Sequence, residues 1–170
     1  MRLELENLGK DASFAHSYAP DELRLDEQDV RLVEPAGVEG HIRRKGEEAQ
    51  VSGTLTTIVA TPCARCLKPV LVPIKAEFFE RFVTAVSWRT EELHELASED
   101  LNLSVFDGAT IDLDELVREE IELATPGQVF CRDDCKGLCP VCGVDWNLKS
   151  CECGTQEIDA RWEKLKDLRF

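Results

Sequence analysis

No apolar run in the chain approaches the ~20 residues that a membrane-spanning helix needs. The N-terminus, M-R-L-E-L-E-N-L, alternates charge with leucine and has no apolar signal core. Both absences point to a cytoplasmic protein, in a compartment where thiols stay reduced. Histidines are few and scattered (His16, His41 and His94), with no metal-ligand spacing among them. No glycine-rich phosphate loop is present, and no Ser/His/Asp or Cys/His set stands out, so nothing marks a hydrolase, a nucleotide-binding enzyme or a small-molecule site. Basic residues are also scarce: 20 against 34 acidic ones, a formal net charge of -14. A body so acidic repels a phosphate backbone. Broad non-specific nucleic-acid binding is disfavoured, while a basic protein partner or a small local RNA contact stays open.

Cysteine is what the chain has in quantity. Six of its eight cysteines lie between Cys131 and Cys153, and Cys63-Ala64-Arg65-Cys66 stands apart. In a reducing compartment such pairs are metal ligands rather than disulfides, and eight is the number required by two tetrahedral zinc sites of four thiolates. In Cys139-Pro140-Val141-Cys142-Gly143, Pro140 pre-sets the turn and Gly143 lets the chain bend back. Cys63–Cys66 is the same device without the glycine. Cys151-Glu152-Cys153 is tighter, and Cys131 and Cys135 are spaced by one helical turn. The preferred grouping puts Cys63, Cys66, Cys131 and Cys135 on one Zn2+ and Cys139, Cys142, Cys151 and Cys153 on a second, because the second set closes a short local loop. The rival joins Cys63/Cys66 with Cys139/Cys142, and spacing leaves it open. Four-cysteine sites are closed, which argues for structural rather than catalytic metal. An iron–sulfur cluster ranks below zinc. A redox Cys-x-x-Cys ranks below metal because no βαβ pattern surrounds either pair.

Periodicity gives an α+β reading: a twisted antiparallel sheet with a zinc-knuckle hairpin, one or two helices and a Cys-rich C-terminal tail. Strands are expected at residues 2–6, 29–33, 38–44, 50–61 and 70–82, with residues 9–22 as loop. The 70–82 strand puts Val70, Val72, Ile74, Ala76, Phe78 and Phe82 on one face, and its length suggests a bulge or bend at Pro73. Cys63 and Cys66 then sit at the tip of a hairpin. Residues 89–101 are acidic without an apolar stripe and read as a mobile loop. Asp107-Gly108 is a turn, and Asp112 caps a helix whose apolar face is Leu113, Leu116, Val117, Ile121 and Ala124. A short C-terminal helix is expected over 157–168, with Ile158, Trp162, Leu165 and Leu168 apolar. The division is 1–125, a mainly β domain with its following helix, and 126–170, the metal-binding tail.

The motif C-x3-C-K-G-L-C-P-V-C-G-x3-N followed by C-x-C resembles the YceD family, the large ribosomal RNA subunit accumulation proteins. C-A-R-C-L-K-P-V, F-F-E-R-F at 78–82 and D-G-A-T-I-D-L-D-E-L-V-R-E-E-I-E-L-A-T-P from Asp107 agree in order. Asp145-Trp146-Asn147 replaces the usual Asn-Leu-Asn and leaves the ligands untouched. The resemblance implies a role in accumulation or processing of large-subunit (23S) rRNA and no established enzymatic activity. It also implies a partner in ribosome assembly, since family members often neighbour the gene of a small zinc-ribbon ribosomal protein. Some members lack the terminal cysteine cluster, which favours Cys63/Cys66 with Cys131/Cys135 as a self-sufficient site.

The leading reading is therefore a non-enzymatic ribosome-biogenesis factor whose acidic surface meets a basic ribosomal protein or assembly factor, with large-subunit rRNA as a further candidate partner. A second is a zinc-ribbon RNA-binding module, using Arg65, Lys68 and the run Arg43, Arg44 and Lys45. That run reads first as a solvated strand end. A third is a thiol redox protein. Trp88, Trp146 and Trp162 are assigned to packing against the core or a metal site rather than to base stacking.

Overall fold

Two long segments rich in alternating Val, Ile, Thr and Phe dominate the fold. Glu48–Pro62 forms β5 and Pro69–Thr84 forms β6. They pair antiparallel from Ala49↔Phe82 to Pro62↔Pro69. In the computed structural model, which describes residues 1–7, 9–25, 29–89, 101–153 and Arg161, β4 (Ala36–Lys45) lies on the other side of β5, and β2 (Asp11–Tyr18) lies outside β4. The short β3 (Arg31–Leu32) pairs with β5 beyond the end of β4. After α1 (Ala85–Arg89), β7 (Leu103–Phe106) joins the free side of β6. A separate two-stranded ribbon pairs β1 (Arg2–Glu4) with β8 (Thr110–Asp112), and α2 (Leu113–Ala124) follows at once. The acidic stretch at 89–101, apart from its ends, and the helix expected over 157–168, apart from Arg161, lie outside the described residues.

The α+β architecture is the expected one, with three differences of detail. Residues 11–18, expected as loop, are a strand. D-A-S-F-A-H-S-Y has no β-branched residue, yet its Phe14 and Tyr18 face inward and the segment pairs with β4 over eight positions. Tertiary pairing overrides the weak local preference. The sheet is mixed, because β7 runs parallel to β6. No bulge occurs at Pro73, since the β5–β6 register is unbroken. The amide of Cys63 donates to the carbonyl of Lys68 (2.8 Å), so every second pair down the ladder is hydrogen-bonded. Pro62↔Pro69 and Ile58↔Pro73 then fall on non-bonded pairs, where a missing N–H breaks no rung.

One face of the sheet carries the core. Val38, Ile42, Val51, Leu55, Val59, Ile74 and Phe78 meet Leu3, Leu5, Ile111 and the α2 residues Leu113, Leu116, Val117 and Ile121. The carboxylate of Asp112 caps α2 by accepting from the amide of Asp114 (3.1 Å). Asp107 accepts from the amides of Ala109 and Thr110 (both 2.8 Å) and shapes the turn ahead of it, with Gly108 at φ 86°.

One rung reads Phe14, Gly40, Gly53, Phe78 across four strands. A Cβ at Gly40 would lie 2.8 Å from the Phe14 ring, and one at Gly53 would lie 2.7 Å from the Phe78 ring and 2.5 Å from the Glu39 carbonyl. The two rings therefore fold over the two glycines. Gly53→Ala overpacks this rung and lowers stability by about 1–3 kcal/mol. Chemical denaturation of the purified protein checks it: an unchanged midpoint would mean that the rung relaxes freely.

Candidate metal centre

The long β5–β6 hairpin holds its tip, Pro62 to Pro69, in one geometry. Within it the amide of Leu67 donates to the carbonyl of Cys63 (2.9 Å), and Leu67 takes a left-handed φ of 59°. The second knuckle repeats the construction: the amide of Gly143 donates to the carbonyl of Cys139 (2.9 Å), at φ 71°. The residue after each Cys-x-x-Cys must turn left-handed. Glycine does so freely at 143, and leucine carries the same turn at 67 against its steric preference.

After α2, Pro126-Gly127 delivers the chain to the tip. The amide of Ala64 donates to the carbonyl of Val129 (2.8 Å), and that of Leu138 to the carbonyl of Arg65 (3.1 Å). Gly137, at φ 77°, allows this approach, since a Cβ there would lie 2.9 Å from the Arg65 carbonyl oxygen. The Arg65 guanidinium donates to the carbonyls of Asp133 and Cys135 (both 2.9 Å) and stacks on Phe130, 4.5 Å from the ring centre.

These contacts gather Cys63, Cys66, Cys131 and Cys135 in one group and Cys139, Cys142, Cys151 and Cys153 in another. All four sulfurs of each group lie within 4.8 Å of one another. The preferred grouping is the one that the fold assembles, and the rival of the two Cys-x-x-Cys pairs is not. In the first group Cys63–Cys135 sulfurs are 3.9 Å apart and Cys66–Cys131 sulfurs 3.6 Å. Thiolates 2.3 Å from one ion at tetrahedral angles stand about 3.8 Å apart, so the donor set fits a single metal ion. The first group is buried except for Cys131, whereas only Cys139 of the second is buried.

Electrostatics within each group are uneven. The Cys63 thiol is lowered to about 6, first by the Cys66 backbone N–H. That of Cys139 is lowered to about 6, first by the Cys142 backbone N–H. Although Cys131 is exposed as a residue, loss of hydration around its sulfur pushes it up to about 12, aided by its neighbouring thiols. Cys153 is pushed up to about 12, first by its hydrogen bond with Cys142. Four crowded sulfurs share their protons because four adjacent negative charges repel. A divalent cation removes that repulsion, and binding then expels protons, so retention of the ion weakens as pH falls.

Sequence reasoning missed the side chains that join the two groups. Asn147 lies in the second loop, yet its Nδ2 donates to the Cys135 sulfur (3.5 Å) and to Asp145 Oδ1 (2.7 Å). Its Oδ1 accepts from the Lys136 amide (2.9 Å) and from Arg132 (2.6 Å). Asp145 pairs with Lys68 of the first knuckle (2.7 Å), and the Lys68 ammonium, then the Asn147 amide, hold its carboxyl down at about 2. The departure from Asn-Leu-Asn therefore places a carboxylate against the first knuckle. It was visible in the sequence, but its partner was not.

The remaining residues singled out in the sequence fall elsewhere. Arg65 and Lys68 are engaged within the chain as described. Arg43 faces Asp11 (3.7 Å), Arg44 donates to the carbonyls of Leu5 (3.4 Å) and Gly46 (3.3 Å), and Lys45 is exposed beside them. That run pairs with the start of β5, opposite the knuckle end. At ~3.3 Å per residue the two basic groups are separated by roughly 40 Å along the hairpin and form no common patch. Trp146 donates its ring N–H to the Cys151 sulfur (3.4 Å). Trp88 lies in α1, partly exposed, and His94 and Trp162 lie outside the described residues. His16 packs edge-on to Tyr18 and His41 meets Ser13 (3.1 Å), both away from the sulfurs.

The family model described as "Large ribosomal RNA subunit accumulation protein YceD" matches residues 51–169, a span that includes the hairpin, α2 and both cysteine groups. The uncharacterised protein YlbN of Bacillus subtilis is 30% identical over 87% of this chain and 82% of its own length. An uncharacterised protein of Mycobacterium tuberculosis strain H37Rv is 36% identical over 72% of this chain and 56% of its own, so this chain spans about half of that relative. A chloroplastic protein of Arabidopsis thaliana named "Large ribosomal RNA subunit accumulation protein YCED homolog 1" is 34% identical over 35% of this chain and 18% of its own length. No solved structure matches significantly.

Two measurements test the centre. Metal analysis of the reduced protein should give about two ions per chain, and about one for the Cys63→Ser/Cys66→Ser variant. Loss of both ions in that variant would contradict the grouping. Asn147→Ala should weaken binding at the first group by about 10–100-fold, although it lies in the loop of the second. Chelator competition on a Cys142→Ser/Cys153→Ser background reads this effect alone.

Proposed function

The chain belongs to the YceD family, and we propose that it is a non-enzymatic ribosome-biogenesis factor that promotes accumulation or processing of large-subunit (23S) ribosomal RNA in the cytoplasm. The family match over residues 51–169 carries this reading. Its name concerns ribosomal RNA, and the matched span contains every cysteine of both groups. Among the described residues no helix is long and apolar enough to cross a membrane.

Zinc is the metal this reading assigns to both groups. Four thiolates in a tetrahedral set suit a soft or borderline ion with no geometric preference of its own. A multi-iron cluster would divide its four thiolates among two or four irons and so spread the set beyond the edges of one tetrahedron. Closed four-sulfur coordination leaves no position for substrate, which is why the proposed role is structural. In this role Cys63, Cys66, Cys131 and Cys135 fasten the tail to the hairpin tip. The other four cysteines close the loop that carries Asn147.

The proposed partner is a basic ribosomal protein or assembly factor. The net charge of -14 supports it, as does acid crowding around α2. There burial raises the carboxyls of Glu119 and Glu120, helped by their acidic neighbours, Glu80 among them. A cationic surface would relieve that crowding.

Deletion of the gene is expected to deplete mature large-subunit rRNA and to raise its precursors, while small-subunit rRNA is little changed. Northern analysis with complementation reads it. The wild-type chain should restore the pattern, and the Cys63→Ser/Cys66→Ser chain should not. Normal large-subunit rRNA in the deletion strain would sink the proposal.

A further inference from the structure

The loop between Cys142 and Cys151 forms a concavity that differs in charge from the rest of the surface. It is open, about 700 Å3 in volume, and lined by Lys136, Trp146, Asn147, Leu148, Lys149 and Ser150. No acidic side chain lines it, in a chain where acids outnumber bases 34 to 20. Arg65, Lys68 and Arg132 are held in internal contacts. Among the described residues neither Lys136 nor Lys149 has an ion-pair partner, so their charges are available to a ligand.

Trp146 is prepared for stacking. Its amide donates to the Gly137 carbonyl (3.0 Å), and its ring N–H donates to the Cys151 sulfur (3.4 Å). Both ends of the residue are fixed, yet 39% of it remains exposed. The Asp145 carboxylate, bonded to the lining residue Asn147, is paired with Lys68, and the sulfurs of Cys135, Cys151 and Cys139 accept N–H donors from Asn147, Trp146 and Val141.

We propose that this concavity is a single-stranded RNA contact, in which one base stacks on Trp146 and the flanking phosphates meet Lys136 and Lys149. The inference deepens the ribosomal-RNA reading and rests on it. The chemistry matches that of single-strand binding sites, where a fixed aromatic ring supplies sequence-tolerant stacking and lysines track the backbone. Duplex RNA offers no unstacked base to the ring and is excluded. The site is small, so contact is local, consistent with a body that repels phosphate elsewhere. It also puts the RNA contact on Trp146, Lys136 and Lys149 instead of on the engaged Arg65 and Lys68.

The test uses metal-loaded, full-length protein and fluorescein-labelled oligo-uridine of about 12 nucleotides, read by anisotropy. Trp146→Ala should weaken binding between about fivefold and 150-fold, the range for loss of one stacked base, and Trp146→Phe should retain most of it. Lys136→Gln/Lys149→Gln should flatten the slope of log affinity against log salt by about 1.4, since each single-strand phosphate contact contributes ~0.7. Metal content confirms that each variant is folded. Undetectable binding by the wild-type chain, equal affinity for the duplex, or binding unchanged in both Trp146→Ala and the lysine variant would overturn the proposal. Its failure is distinguishable from that of the family reading. If the combined Trp146→Ala/Lys136→Gln/Lys149→Gln variant restored rRNA in the deletion strain, only this site would fall, whereas normal rRNA in the deletion strain would remove the wider role.

Discussion

Four sulfurs drawn within 4.8 Å of one another, twice over, is the constraint on which the rest of the structure depends. Thiols so close cannot all ionise without a cation; backbone N–H donors hold Cys63 and Cys139 down at about 6, while loss of hydration and hydrogen bonds with neighbouring thiols push Cys131 and Cys153 up to about 12. The arrangement therefore stores an unmet demand for positive charge. It also requires a rigid platform. The uninterrupted β5–β6 ladder supplies it by holding Cys63 and Cys66 in a fixed turn, against which the tail closes.

Closure of the tail depends on more than sulfur. Arg65 grips two carbonyls of the 131–135 segment, Gly137 admits the Arg65 carbonyl, and Lys68 meets Asp145 across the two knuckles. Asn147 links the second loop to the sulfur of Cys135. These bonds are mutually dependent, because each needs the tail docked before its partner is in reach. The two cysteine groups thus behave as one folded unit despite their separate ligand sets, and networks of this kind couple more strongly than isolated pairs.

The long hairpin also separates chemistries. One region gathers acids around α2, where burial, then the neighbouring acids with Glu80 among them, raises the carboxyls of Glu119 and Glu120. The sulfur end presents Trp146 between two unpaired lysines. An acidic face for a cationic protein and a small contact for RNA can coexist on one chain only if distance keeps their fields apart. At physiological salt, where the Debye length is about 8 Å, screening confines each exposed field to its own neighbourhood.

Elements with strong periodicity or strong punctuation were legible in the sequence. The alternation of 70–82, the Asp112 cap, the Asp107-Gly108 turn and the Cys-x-x-Cys spacing all report local physics, since each depends on neighbours a few residues away. The preferred grouping of the cysteines was legible too, through the low cost of closing a short loop. Residues 11–18 were not, because their strand exists through pairing with β4, and the parallel docking of β7 onto β6 was equally hidden. The absence of a bulge at Pro73 required knowing which rungs are hydrogen-bonded, and that follows from the register with β5. The roles of Arg65, Lys68 and Asn147 were hidden for the same reason. A long polar side chain carries no periodic signal of its own, and its partner, some 65 to 80 residues away for Arg65 and Lys68, is chosen only when the tail closes on the hairpin. The sequence by itself determined the cysteines and their spacing. Tertiary structure decided which charges were consumed in holding them and which, at Lys136 and Lys149, were left for something else, because only packing brings distant polar groups within hydrogen-bonding range.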